Sequence, residues 1–353
     1  MRFRSFYLSL AICCSSLILA AQTNPDLSAL STAVVSGKYP AVHSILVSRN
    51  TAKLYQEYFN GYAPDSLHDS RSSFKSIASL LVGIAIDKGL IKTIDRPIYT
   101  FFPNNTAIAH TLEKRKITIK HLLEMRSGLD CDEWSDGGKD CESEMEKSSN
   151  WIDYSLSVQL KSNPGEKWSY TSCNTMILSG IISKASGMSV MEFAKRYLFD
   201  PLEIYKYRWT TDPEGNGMTA GSFYIKPSDM LKIGQLVLNN GLWNGRQLIS
   251  KEWIKQSTQG IIPIPEGHSF VRISRSQIAY PCQSYYGYSW YNEKIKTSTW
   301  QYDTVFASGN GGQYIFIIKE LNLTVIFTQG NFGSWKAKQA FDILARYIIP
   351  ACR

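Results

Sequence analysis

With 353 residues, 44% of them apolar and 19% charged, the chain has enough hydrophobic material for one large or two intercalated domains. Glycine and proline are near their usual share and no repeat or low-complexity tract occurs, which excludes a solenoid, a collagen-like chain or a disordered protein. The formal net charge of +8 comes from scattered basic residues, Lys114-Arg115-Lys116 being the densest run. This reads as a solvated surface, and no nucleic-acid partner is expected.

The segment 1–21 carries Arg2 and Arg4, an apolar stretch from Phe6 to Leu19, then Ala20 and Ala21. That pattern predicts a secretory signal peptide cleaved after Ala20 or Ala21, and hence a periplasmic or secreted product. Its apolar core is shorter than the ~20 residues of a membrane-spanning helix. A lipoprotein is disfavoured because Ile12, rather than a small residue, precedes Cys13, so no stable membrane anchor is expected after cleavage. Five cysteines remain: Cys131, Cys141, Cys173, Cys282 and Cys352. None has zinc-type spacing. In an oxidising compartment Cys131 could pair with Cys141 and Cys282 with Cys352, the odd count leaving one thiol free.

In chain order, 43–48 and 54–59 predict a strand pair joined by a turn at Arg49-Asn50-Thr51. Ser72-Ser73-Phe74-Lys75 then opens a helix that is apolar on nearly every face and stops at Lys88-Gly89. A further helix is expected from Ile117 to Leu123. The stretch 130–149 is polar and acidic. Its Asp130, Asp132 and Asp136 lack the spacing of a calcium loop, so it reads as a surface loop and no metal is expected. Helices are predicted at 176–185, ended by Gly187, at 190–198 and at 227–238, while Gly215 to Ala220 is a loop. Segments 312–318 and 323–328 predict a buried hairpin, followed by an amphipathic helix through Ala337, Ala340, Phe341, Leu344 and Ile348. Strands at both ends with helices between them predict an α/β (α+β) chain: an antiparallel sheet flanked by helices, with a mostly helical domain inserted. The expected boundaries are 22–71 with 220–353 for the sheet domain and 72–219 for the helical one.

Ser72 and Lys75 form the one Ser-x-x-Lys of the chain. Residues three apart on a helix share a face at about 5–6 Å, so the amine can reach the hydroxyl. A serine hydroxyl needs a base held against it, and burial lowers a lysine's pKa until it can serve as one. His43 and His121 lie in apolar contexts and read as structural histidines.

The chain resembles the serine β-lactamase and penicillin-binding protein superfamily over about residues 40 to 350. The likeness is closest to the class C branch, with its family VIII esterases and 6-aminohexanoate-dimer hydrolases. Three motifs carry it in family order: Ser72 to Lys75 with the helix behind, Tyr170-Thr171-Ser172-Cys173-Asn174, and Ala307-Ser308-Gly309-Asn310-Gly311-Gly312. The resemblance implies a β-lactamase/transpeptidase-like fold, a covalent acyl-enzyme and no cofactor. It implies Ser72, Lys75 and Tyr170 as catalytic residues, with Ser172, Asn174, Ser308, Gly309, Asn310 and Gly311 binding substrate or forming an oxyanion hole. The third motif departs from the family by having Ala307 where a lysine or histidine stands. That cation helps to hold a substrate carboxylate, so a small-molecule ester or amide is the expected substrate. The alternatives are a β-lactamase or D,D-carboxypeptidase that borrows a cation from Arg272 or Arg275, and a non-catalytic penicillin-binding-like recognition module.

Overall fold

The computed structural model describes residues 26–135, 137–265 and 267–353, and the expected signal segment lies outside them. No helix among the described residues is long and apolar enough to cross a membrane. Val42–Arg49 (β1), Ala52–Tyr58 (β2), Ile262–Pro263 (β3), Tyr285–Tyr286 (β4), Tyr291–Lys296 (β5), Gln301–Gly309 (β6), Gln313–Ile318 (β7) and Leu323–Gln329 (β8) form one eight-stranded sheet. All its pairings are antiparallel, in the order β2-β1-β8-β7-β6-β5-β4-β3. The two ends of the chain therefore meet inside the sheet, where β1 lies along β8 with Val47 opposite Val325.

Every residue of β7 and β8 is buried, because both faces of the sheet are covered. Their side chains alternate between two cores. Tyr314, Phe316, Val325 and Phe327 pack with Ala340, Phe341 and Leu344 of the C-terminal helical segment, whereas Ile315, Ile317 and Ile326 join the second core. That second core continues through Phe74–Asp87 (α1), Ser172–Ser186 (α2) and Pro227–Leu238 (α3). The helical region and this sheet face thus share one body of apolar side chains. Gly234 lets α3 lie directly on the sheet, since a Cβ there would come within 2.4 Å of Thr324 Cγ2. The result is the expected mixed α/β arrangement of an antiparallel sheet flanked by helices. Cys282 and Cys352, by contrast, are both free thiols, and the pairing expected between them is not formed.

Candidate active site

Ser72 sits on a 3-10 turn, Arg71–Ser73, that runs straight into α1. Arg71 enters it with φ +48°, a left-handed conformation that costs a non-glycine residue about 1–3 kcal/mol. Asp69 holds it there: one carboxylate oxygen accepts the Arg71 N–H at 2.9 Å and the other pairs with its Nε at 2.9 Å. The end of β6 closes on the same turn. A Cβ on Gly309 would lie 2.4 Å from the carbonyl oxygen of Ser70, so only glycine permits this approach.

Lys75, 1% exposed, donates from Nζ to Ser72 Oγ (3.1 Å), Ser172 Oγ (3.0 Å) and the Ala220 carbonyl (2.8 Å). Burial pushes its pKa below the ordinary lysine value, while the charges of Glu142, Glu133 and Cys173 oppose that shift. Tyr170 is buried beside them, with Lys75 Nζ 5.0 Å from its ring centre. Burial raises its phenol well above the usual range, and its hydrogen bond with Ser72 works the other way.

The stretch 130–149 is not a plain surface loop, as its polarity suggested. A Cys131–Cys141 disulfide closes it, and it folds over Ser72 as a wall of the cleft. Glu133 accepts from the Ser172 N–H (2.9 Å and 2.8 Å), from Thr171 Oγ1 (3.0 Å) and from Ser172 Oγ (2.7 Å), and Glu142 also meets Ser172 Oγ. Burial raises the Glu133 carboxyl, Lys75 lowers it and Glu142 raises it again. Trp134 packs 5.6 Å from Tyr170, centre to centre. Neither carboxyl announced itself in the sequence; the one available signal was the Cys131/Cys141 pair that bends the loop back.

The cleft encloses about 450 Å³, with Ser72 and Tyr170 on one side and Ser308, Gly309 and Asn310 on another. Asn310 is fixed there by its side-chain oxygen, which accepts from the N–H groups of Gly311 (2.8 Å) and Gly333 (3.0 Å). Gly311 lies behind, against Phe332. Asn174 is turned away from the cleft: its amide meets Met125 Sδ at 3.4 Å and its buried oxygen has no partner among the described residues. Two residues along a helix from Ser172 it faces another side, so it contacts neither Lys75 nor the cleft.

Ala307 is buried, with no exposed surface, opposite Ile315. The arginines proposed to supply the missing cation point elsewhere, Arg272 to the Gly267 carbonyl (3.0 Å) and Arg275 over the Trp335 ring (4.0 Å). Another cation, Lys338, reaches the cleft instead. It lines the cleft from the segment after β8, and burial lowers its pKa to about 8.

Residues 35–345 match the family described as Beta-lactamase. A 6-aminohexanoate-dimer hydrolase of Paenarthrobacter ureafaciens is 24% identical over 229 residues, 62% of this chain and 57% of that protein, so the chain spans somewhat over half of that relative. Among solved structures, a candidate 6-aminohexanoate-dimer hydrolase of Bacillus anthracis superimposes with a TM-score of 0.71 at 17% identity, covering 91% of this chain and 81% of the other. A D-stereospecific amidohydrolase of Streptomyces sp. gives 0.67 at 14% identity, covering 91% and 99%. The fold, the order of its motifs and the match over residues 35–345 agree: the chain belongs to the beta-lactamase family.

Proposed function

We propose that the protein is an exported serine hydrolase that cleaves esters or amides through a covalent acyl-enzyme. The observation that carries this reading is the buried Lys75 amine bonded to Ser72 Oγ at the floor of an open cleft. As a neutral amine Lys75 takes the Ser72 proton while Oγ adds to the substrate carbonyl. The backbone N–H groups of Ser72 and Asn310 take the developing oxyanion. Tyr170, within reach of Ser72, passes the proton to the departing alkoxide or amine, and water then attacks the acyl-enzyme with the same groups in reverse. Relatives whose names specify amide substrates bring amides forward beside esters. The disulfide on the cleft wall, together with the leader-like segment 1–21, supports export.

Lys338 favours a second reading for substrate choice. A cation in the cleft suits a substrate that carries a carboxylate, as β-lactams and D,D-peptides do. The test is the mass of the protein after incubation with a fluorophosphonate, p-nitrophenyl butyrate and a penicillin. An adduct on Ser72, absent in Ser72→Ala, is expected with the first two. A label elsewhere, or full turnover by Ser72→Ala, defeats the serine mechanism, and a penicillin adduct that never turns over points to a recognition module.

A further inference from the structure

Trp134 stands on the cleft wall, and both its backbone and its ring are held. The Glu133 N–H donates to the Tyr170 carbonyl at 2.9 Å, and the Trp134 N–H donates to Asp132 Oδ1 at 3.0 Å. From that fixed backbone the half-buried indole enters a compartment made of five other rings. Centre to centre they lie at 4.8 Å (His268), 5.6 Å (Trp168), 5.6 Å (Tyr170), 6.1 Å (Phe270) and 6.1 Å (Tyr291). All five separations fall within the ~4.5–7 Å over which aromatic rings attract one another. Trp168 and Tyr170 lead into α2, whereas Phe270 opens the short helix Phe270–Ser274 and Tyr291 begins β5. The indole therefore fills a seam between separate parts of the chain. Trp134, Tyr170 and Tyr291 line the cleft, while Trp168, His268 and Phe270 do not. The indole is the partition between the open space beside Ser72 and the three rings behind it.

We propose that Trp134 is a specificity-determining residue: it closes the space beside Tyr170 and restricts one arm of the ester or amide substrate, acyl or leaving group, to a short chain. The inference rests on the proposed hydrolase and names the size of what it accepts. A substrate carbonyl placed at Ser72 must send one of its two arms past Tyr170, and the next ring outward on that side is the indole. A ring packed against five others has no free direction in which to yield, so a longer arm meets it as a hard stop. Taking the indole away opens an extension of the cleft walled by aromatic faces, the lining that suits an alkyl or aryl chain. Added methylenes then gain burial where they met a clash before.

The experiment measures kcat/KM of the full chain on two ester series, one lengthening the acyl chain on a fixed alcohol and one lengthening the alcohol on a fixed acetyl group. In wild type, one series should drop about tenfold or more at the methylene that reaches the indole. Trp134→Ala should move that drop to longer chains and reward each methylene before it roughly three- to fourfold. Trp134→Leu, which keeps an apolar filling of smaller size, should fall between them. The other series should keep its length dependence in all three proteins. A wild type that takes long chains in both series, an unchanged length dependence in Trp134→Ala, or an equal shift of both series, which marks a wall loosened as a whole, overturns the proposal. Calorimetric binding of matched ketones, which cannot be cleaved, reads the same discrimination without turnover. A protein that never labels at Ser72 with fluorophosphonate thus defeats the serine mechanism, while the ketones still decide the role of Trp134.

Discussion

Lys75 Nζ lies 3.1 Å from Ser72 Oγ, and its two other acceptors, Ser172 Oγ and the Ala220 carbonyl, complete a set that an ammonium and an amine can both satisfy. Only the amine can act as a base. Turnover should therefore rise with pH as Lys75 loses its proton, and burial places that ionisation below the ordinary lysine value of 10.5. Lys75→Arg keeps the charge but cannot deprotonate, so kcat should fall at least ~100-fold at every pH. Steady-state kinetics over a pH series check both points, and a variant that keeps its activity would transfer the role of base to Tyr170.

Lys338 carries a prediction about stability and another about substrate. Its folded pKa of about 8 lies below the 10.5 of a free lysine, so any stability it contributes is present above 10.5 and is lost as pH falls through 8. At neutral pH the half-buried cation costs stability. Lys338→Met should raise the unfolding free energy there by up to about 3 kcal/mol, at 1.36 kcal/mol per unit, with the gain vanishing above about pH 10.5. The same change removes a charge-assisted bond to a substrate carboxylate, worth about 1.5–3 kcal/mol. It should lower kcat/KM for carboxylated substrates roughly 10- to 150-fold and leave neutral esters alone. Urea melts at two pH values and paired substrates test the two halves separately.

Gly309→Ala should damage catalysis through geometry. The new methyl would meet the Ser70 carbonyl at 2.4 Å and Arg71 Cβ at 3.0 Å, so β6 must withdraw from the nucleophile turn. A displacement of about 1 Å at a reacting centre can cost 10²-fold, and kcat/KM should fall by roughly 10- to 100-fold. Labelling of Ser72 by fluorophosphonate should slow in step.

Glu293 tests a buried carboxyl that lies outside the residues lining the cleft. Its buried carboxyl accepts from Ser269 Oγ (2.5 Å), Ser284 Oγ (2.7 Å) and the N–H groups of Phe270 (2.7 Å) and Val271 (3.1 Å), tying a short helix and β4 to β5. In Glu293→Gln the amide turns an N–H toward donors that expect an oxygen. The serine hydroxyl on that side can turn to accept, but the backbone N–H beside it is left without a partner, at about 1–3 kcal/mol. The urea midpoint should drop with an unchanged slope.

The residues that could be read from the sequence are those whose partners lie close along the chain. Ser72 and Lys75 are one helical turn apart. The β7–β8 hairpin and α3 follow from their apolar periods, and Pro227–Leu238 has the expected limits. What escaped depends on distant contacts. Glu133 and Glu142 are polar residues on a polar loop until the chain returns and sets Ser172 between them. Lys338 reads as one more surface lysine until the segment after β8 is laid over the cleft. Of the two residues expected to meet Lys75 or substrate, Ser172 is the one on Lys75 while Asn174 turns to Met125, since proximity in the motif says nothing about which side of α2 a residue takes.

The Cys131–Cys141 bond gives this chemistry a condition of place. The floor of the cleft, Ser72 on Lys75, is set by the start of α1, but Glu133 and Trp134 ride inside the ring that the bond closes and Glu142 directly follows it. Where thiols are kept reduced, that wall loses its covalent tether. The neighbouring Cys173 thiol is buried and held up to about 12, which leaves it slow to attack the bond once formed. On the proposed export, the oxidising space that receives the chain is also what closes the wall around Ser72.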